Sequence, residues 1–234
     1  MYKRVLLKLS GEVLAGSEQF GIDYTALTYI ANEIALATKN TNTQLAIVIG
    51  GGNIFRGAKA DMLDIERVVG DYVGLLSTVI NALVLQNTLE RLNRATCVMS
   101  AIEVNKLAEP YIIRKAIRHL EKDKIVLLAS GTGNPYFTTD TAAVLRGLEI
   151  GAEIILKGTR VDGVYSADPE KAVKHIFYKK VSYDKVLRNK LGVMDLTAIT
   201  LCAENKLPIR VFNIKEKGNL KKVIGGEPIG TLIK

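Results

Sequence analysis

The run Ser130 to Asp140, S-G-T-G-N-P-Y-F-T-T-D, gathers the residue types that hold an anion. It follows the apolar segment Lys124 to Ala129 and leads into a helix-like pattern from Thr141 to Ile150. The run therefore lies at the carboxyl end of a strand, where open α/β sheets bind ligands. Gly131 and Gly133 let the backbone approach a ligand closely. The hydroxyls of Thr132, Thr138 and Thr139, with the free N–H groups of the following helix, offer donors to a phosphate. The same residues would also make an ordinary turn with Thr139 or Asp140 as helix cap, and taken alone the run does not separate the two readings.

Three further polar or glycine-rich loops follow strand-like segments. They are K-L-S-G-E at Lys8 to Glu12, G-G-G-N-I-F-R-G at Gly50 to Gly57, and K-G-T-R-V-D-G-V-Y-S-A-D-P at Lys157 to Pro169. One such loop is a turn, but four at strand ends in one chain point to a shared site. The familiar phosphate signatures are missing: no G-x-x-x-x-G-K-[ST] occurs, and neither glycine run satisfies G-x-G-x-x-G. P-loop and dinucleotide-fold readings therefore fail. Arg56 offers a planar fork to phosphate oxygens, with a structural salt bridge as the competing reading.

These loops need a scaffold that brings strand ends together, and the remaining pattern supplies one. Candidate strands are Arg4 to Leu9, Leu45 to Ile49, Thr96 to Met99, Ile125 to Ala129, Glu153 to Leu156 and Ile209 to Phe212. Each is nearly continuous in apolar residues, as parallel strands covered on both faces are. Between them Asp23 caps a helix with Leu27, Ile30, Ala31 and Ile34 on one face, a longer helical stretch runs from about Ile65 to Leu92, and Pro110 opens another through Leu120. Gly70 and Gly74 inside the long stretch suggest a bend or a close approach by a neighbour. The alternation predicts an α/β fold: a three-layer αβα sandwich with an open, mostly parallel sheet.

Composition narrows the class further. A chain of 234 residues with 48% hydrophobic content fits one large domain or two tightly joined lobes and can bury a sizeable core, and it is read as a single domain over 1–234. No apolar run was found to approach the roughly 18 residues of a membrane span, and the short apolar N-terminal stretch is no signal-peptide core, so a cytoplasmic protein is expected. Cys97 and Cys202 lie far apart in apolar surroundings without C-x-x-C spacing or a histidine close in sequence, and read as reduced buried thiols. His119 and His175 match no motif and read as surface residues. The net charge of +8 attracts anions, but the lysines are scattered, with modest clusters such as Lys171 to Lys174, and no nucleic-acid motif accompanies them. Solvated surface is the commonest meaning of such lysines, small phosphorylated ligands explain the balance equally well, and no dedicated nucleic-acid binding is expected.

Taken together, K-L-S-G-E, G-G-G-N-x-F-R-G, V-V-G-D, T-G-N-P-Y-F-T-T-D, V-D-G-V-Y-S-A-D-P and V-M-D-L resemble the amino acid kinase family over essentially the whole chain. The resemblance implies transfer of the γ-phosphoryl group of ATP to UMP, giving UDP and ADP in pyrimidine nucleotide biosynthesis. It places the acceptor mainly on the N-terminal part and ATP on the part from about residue 150. It implies that Lys8 lies against the transferring group, that Asp140 orients it, and that Arg56 and Lys157 complete the catalytic set. For ATP it implies Lys8, Leu9, Ser10, Gly11, Gly52, Arg56, Thr159, Tyr165 and Asp168. For UMP it implies Gly51, Asp71 on the ribose, and the loop residues Thr132, Gly133, Asn134, Pro135, Tyr136, Phe137, Thr138 and Thr139. Mg²⁺ is implied as cofactor, held mainly by nucleotide phosphates and water because no carboxylate cluster announces a protein-built cage.

Two rival readings stay open at this stage. One is another family member acting on a carboxylate or carbamate, and the other a non-catalytic nucleotide-binding storage or regulatory protein of the same fold. The family precedent is a homo-oligomer, a hexamer assembled from dimers, and inhibition by UTP is common in it. Many bacterial members are activated by GTP through charged residues between subunits. At positions where those carry an acid, a histidine and an arginine, this chain has Asn87, Glu90 and Cys97, although the Gly16 to Gly21 loop tied to the same regulation is present. GTP activation is therefore expected to be weak or absent.

Overall fold

The six apolar segments form the middle of one sheet, and the helical stretches cover both of its faces. The structure is a computed structural model describing residues 1–56, 64–167 and 175–234. The first half runs β1 (Arg4–Leu9), α1 (Glu12–Ala15), α2 (Tyr24–Thr38), β2 (Gln44–Ile49), α3 (Arg67–Arg91), β3 (Thr96–Ser100), β4 (Glu109–Pro110), α4 (Ile113–Glu121) and β5 (Ile125–Ala129). The second runs α5 (Thr139–Glu149), β6 (Ile154–Thr159), β7 (Val164–Tyr165), β8 (Phe177–Tyr178), β9 (Lys180–Val181), α6 (Tyr183–Arg188), α7 (Leu196–Asn205), β10 (Ile209–Asn213), α8 (Asn219–Ile224) and β11 (Thr231–Ile233).

From edge to edge the large sheet reads β4, β3, β5, β2, β1, β6, β10, β11, β9, and β7 pairs with β8 in a separate hairpin. Every pair in the large sheet is parallel except β10 with β11. Successive side chains point to opposite faces of a strand. Thus Val5, Leu7 and Leu9 pack with Leu45, Ile47 and Ile49 against the layer of α2, α3 and α8, while Leu6, Ala46 and Val48 pack against that of α4, α5 and α7. This is the three-layer α/β architecture the alternation predicts. Parallel pairing also brings the carboxyl ends of β1, β2, β5 and β6 to one edge of the core, and the loops that follow them meet there.

Several boundaries differ from the sequence expectation. Pro110 opens no helix; it belongs to β4, paired with Ser100 of β3, and α4 begins at Ile113. An edge strand tolerates proline because its missing N–H faces away from the ladder, and Tyr111 N–H resumes pairing to the Ser100 carbonyl at 2.8 Å. The strand expected over Glu153 to Leu156 extends to Thr159. Lys157, Gly158 and Thr159 are ladder residues because β6 is paired on both sides, with β1 and β10. Gly158 fits closely there, since a Cβ would come 2.8 Å from Leu9 Cδ2 and 3.2 Å from Ile214 Cβ. The short strands β4, β7, β8, β9 and β11 carry no apolar run long enough to read.

The stretch around Gly70 and Gly74 is one unbroken helix, α3. The close approach expected there is present: a Cβ on Gly51 would lie 2.7 Å from both the Gly74 carbonyl oxygen and Ser77 Cβ. Contrary to the sequence reading, α3 is by length and composition apolar enough to cross a membrane. Its Leu75, Val79, Ala82, Leu85 and Leu89 are instead buried in the protein, as in the core helix of a layered fold.

Candidate active site

Lys8 and Lys157 are register partners on the adjacent strands β1 and β6, so the backbone alone sets the two side chains beside each other. They share the face of the sheet that carries α5, and Asp140, in the first turn of α5, reaches both. Its Oδ1 lies 2.7 Å from Lys8 Nζ and its Oδ2 accepts from Lys157 Nζ at 2.9 Å. Lys157 also donates to the Val193 carbonyl. Lys8 is only 8% exposed, a depth at which an unpaired ammonium would be costly.

The cluster sets the charge states that chemistry needs. Burial works to raise the Asp140 carboxyl, but the ammonium groups of Lys8 and Lys157 and their hydrogen bonds prevail and hold it below the ordinary carboxylate value. Lys157 is lowered, first by burial and then by repulsion from Lys8, against the attraction of Asp140. Two cations on one carboxylate leave an excess positive charge facing the loops.

On one side of this cluster is a cleft of about 230 Å³, with Gly51, Gly52, Asp71, Gly74, Phe137 and Thr138 among its walls. The loop from Ser130 is bent by backbone in the left-handed region at Ser130, Gly131, Gly133 and Tyr136. Gly133 admits no side chain, since a Cβ would come 2.9 Å from the Ala101 carbonyl oxygen. Tyr136 is bulky for that region, and such outliers cluster at functional sites. Its N–H donates to Asp71 Oδ2 at 2.8 Å, and Arg67 Nε holds the same carboxylate at 2.9 Å. Tyr136 and Phe137 expose their rings, and Thr132 turns the loop by accepting from Asn134 N–H at 3.2 Å. The helix cap is Thr138 rather than Thr139 or Asp140: its hydroxyl oxygen accepts from Asp140 N–H at 3.1 Å and Thr141 N–H at 3.2 Å. The shift leaves Asp140 free to bridge the lysines.

On the other side a larger cleft of about 520 Å³ is lined by Lys157, Thr159, Tyr165 and the 189–193 segment. Thr159 donates to the Val161 carbonyl at 2.6 Å, and the Tyr165 ring meets those of His175 and Phe177 at 5.0 and 5.2 Å. Leu9 is fully buried, and Gly11 sits so close to the next loop that a Cβ would lie 2.3 Å from Asn53 Oδ1. Ser10 Oγ accepts weakly from Glu12 N–H at 3.4 Å. Arg56 donates to Glu12 Oε1 at 2.5 Å and to the Gly52 carbonyl at 3.2 Å, lining a third hollow with Glu12 and Phe20. Asp168, Gly57 and Lys171 to Lys174 lie outside the described residues. His175 is exposed as expected, but His119 is half-buried and meets Glu109 across the fold.

Sequence reasoning assigned no role to Asp195, yet it ties the two sides together. It caps α7, accepts from Ala198 N–H at 2.9 Å, and also accepts from the hydroxyls of Thr138 and Thr141. An aspartate before L-T-A-I is a readable cap, but its long-range partners are not. A second unread pair is Asn53 and Asn81, both buried. Asn81 Nδ2 donates to the Gly50 carbonyl and to Asn53 Oδ1, each at 2.7 Å, and Asn53 Nδ2 donates to the Gly21 carbonyl at 2.8 Å. They fasten the glycine loop to α3.

An open α/β sheet with glycine-rich loops at its strand ends and a Lys–Asp–Lys cluster between two clefts is the frame of a phosphoryl-transfer enzyme. The chain matches the amino acid kinase family model over residues 3–213 and belongs to that family. The structure resembles that of UMP kinase from Bacillus anthracis, with 41% identity and a TM-score of 0.96 over 100% of this chain and 96% of the other. It is also similar to UMP kinase from Ureaplasma parvum, with 36% identity and a TM-score of 0.93 over 100% and 99% of the two chains. Uridylate kinase from Archaeoglobus fulgidus is more distant, with 27% identity and a TM-score of 0.77 over the whole of both chains.

Proposed function

We propose that this chain is an ATP:UMP phosphotransferase, forming UDP and ADP in pyrimidine nucleotide synthesis in the cytoplasm. The carrying observation is the pair of register-matched lysines on one carboxylate at the junction of two clefts. UMP occupies the cleft of Asp71 and the 130–139 loop, on the N-terminal part, and ATP the cleft of Thr159 and Tyr165, on the part from about residue 150. Full-length similarity to solved UMP kinases supports the choice of acceptor.

Transfer to a phosphate oxygen, whose second pKa is about 6, needs no strong general base at neutral pH. It needs relief of repulsion between two anions. Lys8 and Lys157, held in place before substrate arrives, supply fixed positive charge where the phosphoryl group passes. Asp140 keeps both ammonium groups aimed and is itself held ionised. Arg56, which ends in an exposed pair with Glu12, is free to exchange that partner for a phosphate. Asp71 presents a carboxylate to ribose hydroxyls. Bound Mg²⁺ would neutralise charge on the donor phosphates. Asp140, the acid at the junction, is already engaged by two cations, so the ion's ligands are mainly phosphate and water.

A homo-oligomer fits the outer face of α3, where Val69, Tyr72, Leu76 and Ile80 are each between 44% and 49% exposed at helical spacing. We take dimers formed there, assembled to a hexamer, as the working form. UTP, which shares uracil and ribose with UMP, is expected to inhibit at the acceptor cleft. A coupled assay for ADP across UMP, CMP, dTMP and the purine monophosphates tests the function. Turnover with UMP well above the others is the expected result, and no monophosphate-dependent ADP release would overturn it.

A further inference from the structure

The fold brings together three side chains of unlike chemistry that the kinase reaction does not use. Cys97 on β3, Glu109 on β4 and His119 in the last turn of α4 place a sulfur, a carboxylate oxygen and a ring nitrogen within 4.8 Å of one another. Among the described residues this is the one such group. Glu109 pairs with Met99, two residues from Cys97, so both side chains emerge on the face covered by α4.

We infer that Cys97, Glu109 and His119 form a binding site for a thiophilic divalent cation of the Zn²⁺ type. In a tetrahedral zinc site, with bonds of about 2.0 to 2.3 Å, neighbouring ligand atoms stand roughly 3.3 to 3.8 Å apart. Here Cys97 Sγ lies 3.4 Å from Glu109 Oε1, and His119 Nε2 lies 3.1 Å from Glu109 Oε2. Cys97 and His119 each already contact one oxygen of the Glu109 carboxylate, and the three ligand atoms lie within 4.8 Å of one another. Thiolate with imidazole selects zinc over magnesium or calcium, which take oxygen ligands. The Glu109 side chain is 46% exposed, leaving an approach from solvent and a fourth position for water.

His119 Nε2 is the ring nitrogen that meets the Glu109 carboxylate, while Nδ1 is buried without a hydrogen-bond partner among the described residues, so Nε2 is the ligating atom. On binding, the thiol proton leaves to solvent and an S–metal bond forms, with no redox change. The ion would pin the two-residue edge strand β4 to both β3 and α4.

The test is titration of the full-length, reduced, nucleotide-free protein with Co²⁺, followed by displacement with Zn²⁺. The inference predicts one equivalent bound, a thiolate-to-cobalt charge-transfer band in the near ultraviolet, loss of that band with Zn²⁺ and its persistence in excess Mg²⁺. Only one other cysteine exists, the fully buried Cys202, so Cys97→Ser should abolish the band outright. His119→Gln should weaken Co²⁺ binding by at least about tenfold, the scale at which even outer-shell changes act. As a second readout, Zn²⁺ should raise the melting temperature of the wild type and not that of His119→Gln. Absence of the band in the folded wild type, or its survival in Cys97→Ser, would overturn the site and leave the cluster a hydrogen-bonded triad only.

Discussion

The two clefts flanking the Lys8–Asp140–Lys157 cluster are built differently. The cleft proposed for the acceptor is about 230 Å³ and backbone sets much of its wall: Gly51 has no room for a side chain, the 130–136 loop takes left-handed conformations, and the buried Asn53–Asn81 pair fastens the glycine loop to α3. The cleft proposed for the donor is about 520 Å³, made from the end of β6, the 160–167 segment with β7, and the 189–193 segment. A tight backbone cradle suits discrimination among small acceptors, because a rigid site cannot reshape around the wrong one. A wider cleft suits a triphosphate held chiefly through its charges. Lys157 lines the wider cleft and Asp140 directly follows Thr138 and Thr139 of the smaller one, so damage to the cluster should strike turnover whichever substrate is varied.

That asymmetry can be broken most severely at the cluster. Lys8→Ala should leave the fold intact and lower kcat by on the order of 10² to 10³, the cost of one preorganised electrostatic contact. Near-normal turnover in the folded variant would remove Lys8 from the reaction.

Asp71→Asn should act on one cleft alone. It keeps the shape while losing a charge-assisted bond of roughly 1.5 to 3 kcal/mol, so KM for UMP should rise about 10- to 100-fold with KM for ATP little changed. A shift confined to the ATP constant would reverse the assignment of the clefts.

A smaller effect separates the two lysines. Because burial and Lys8 lower the Lys157 pKa, its proton is lost in the folded enzyme below the ordinary 10.5. Between the folded and unfolded values the unfolded chain binds more protons, so stability from this group rises with pH there while transfer falls. Lys157→Arg keeps its charge throughout, and its activity, relative to its own neutral rate, should persist further into alkali than that of wild type. Coincident alkaline limbs in the two pH profiles would show that Lys157 does not set the limit.

GTP tests the region away from both clefts. Cys97 is a buried thiol with no fixed charge, Glu90 accepts from Thr96 at 2.6 Å, and Arg94 is turned inward to the Thr38 carbonyl at 3.0 Å. A triphosphate activator needs cationic partners, and losing one costs about as much as the roughly 1 to 3 kcal/mol usual for allosteric coupling. Initial rates at subsaturating UMP should change less than about twofold with GTP. A several-fold stimulation would show that other cations serve.

The side proposed for the acceptor was the more legible in sequence because it is built from dense local spelling, the glycines and threonines of two short loops. The central strands were legible for a related reason: β1, β2 and β5 are buried on both faces and so are nearly continuous in apolar residues. The side proposed for the donor was only half read. Lys157 and Thr159 stood out, but Val193 contributes a carbonyl, which no side chain reports, and Asp195 works through partners 54 and 57 positions away. Pro110 misled because a proline that starts a helix and one that sits in an edge strand look the same until pairing is known. The grouping of Cys97 with Glu109 and His119 depends on β3, β4 and α4 meeting, and had no local signature.

The partition of substrates between the clefts is tested most directly by hydrogen exchange with each nucleotide alone. UMP should slow exchange in residues 51–56 and 131–139 and leave 159–167 and 189–193 unchanged, whereas a non-hydrolysable ATP analogue with Mg²⁺ should do the reverse. Protection of the 159–193 region by UMP without ATP would contradict the two-cleft account.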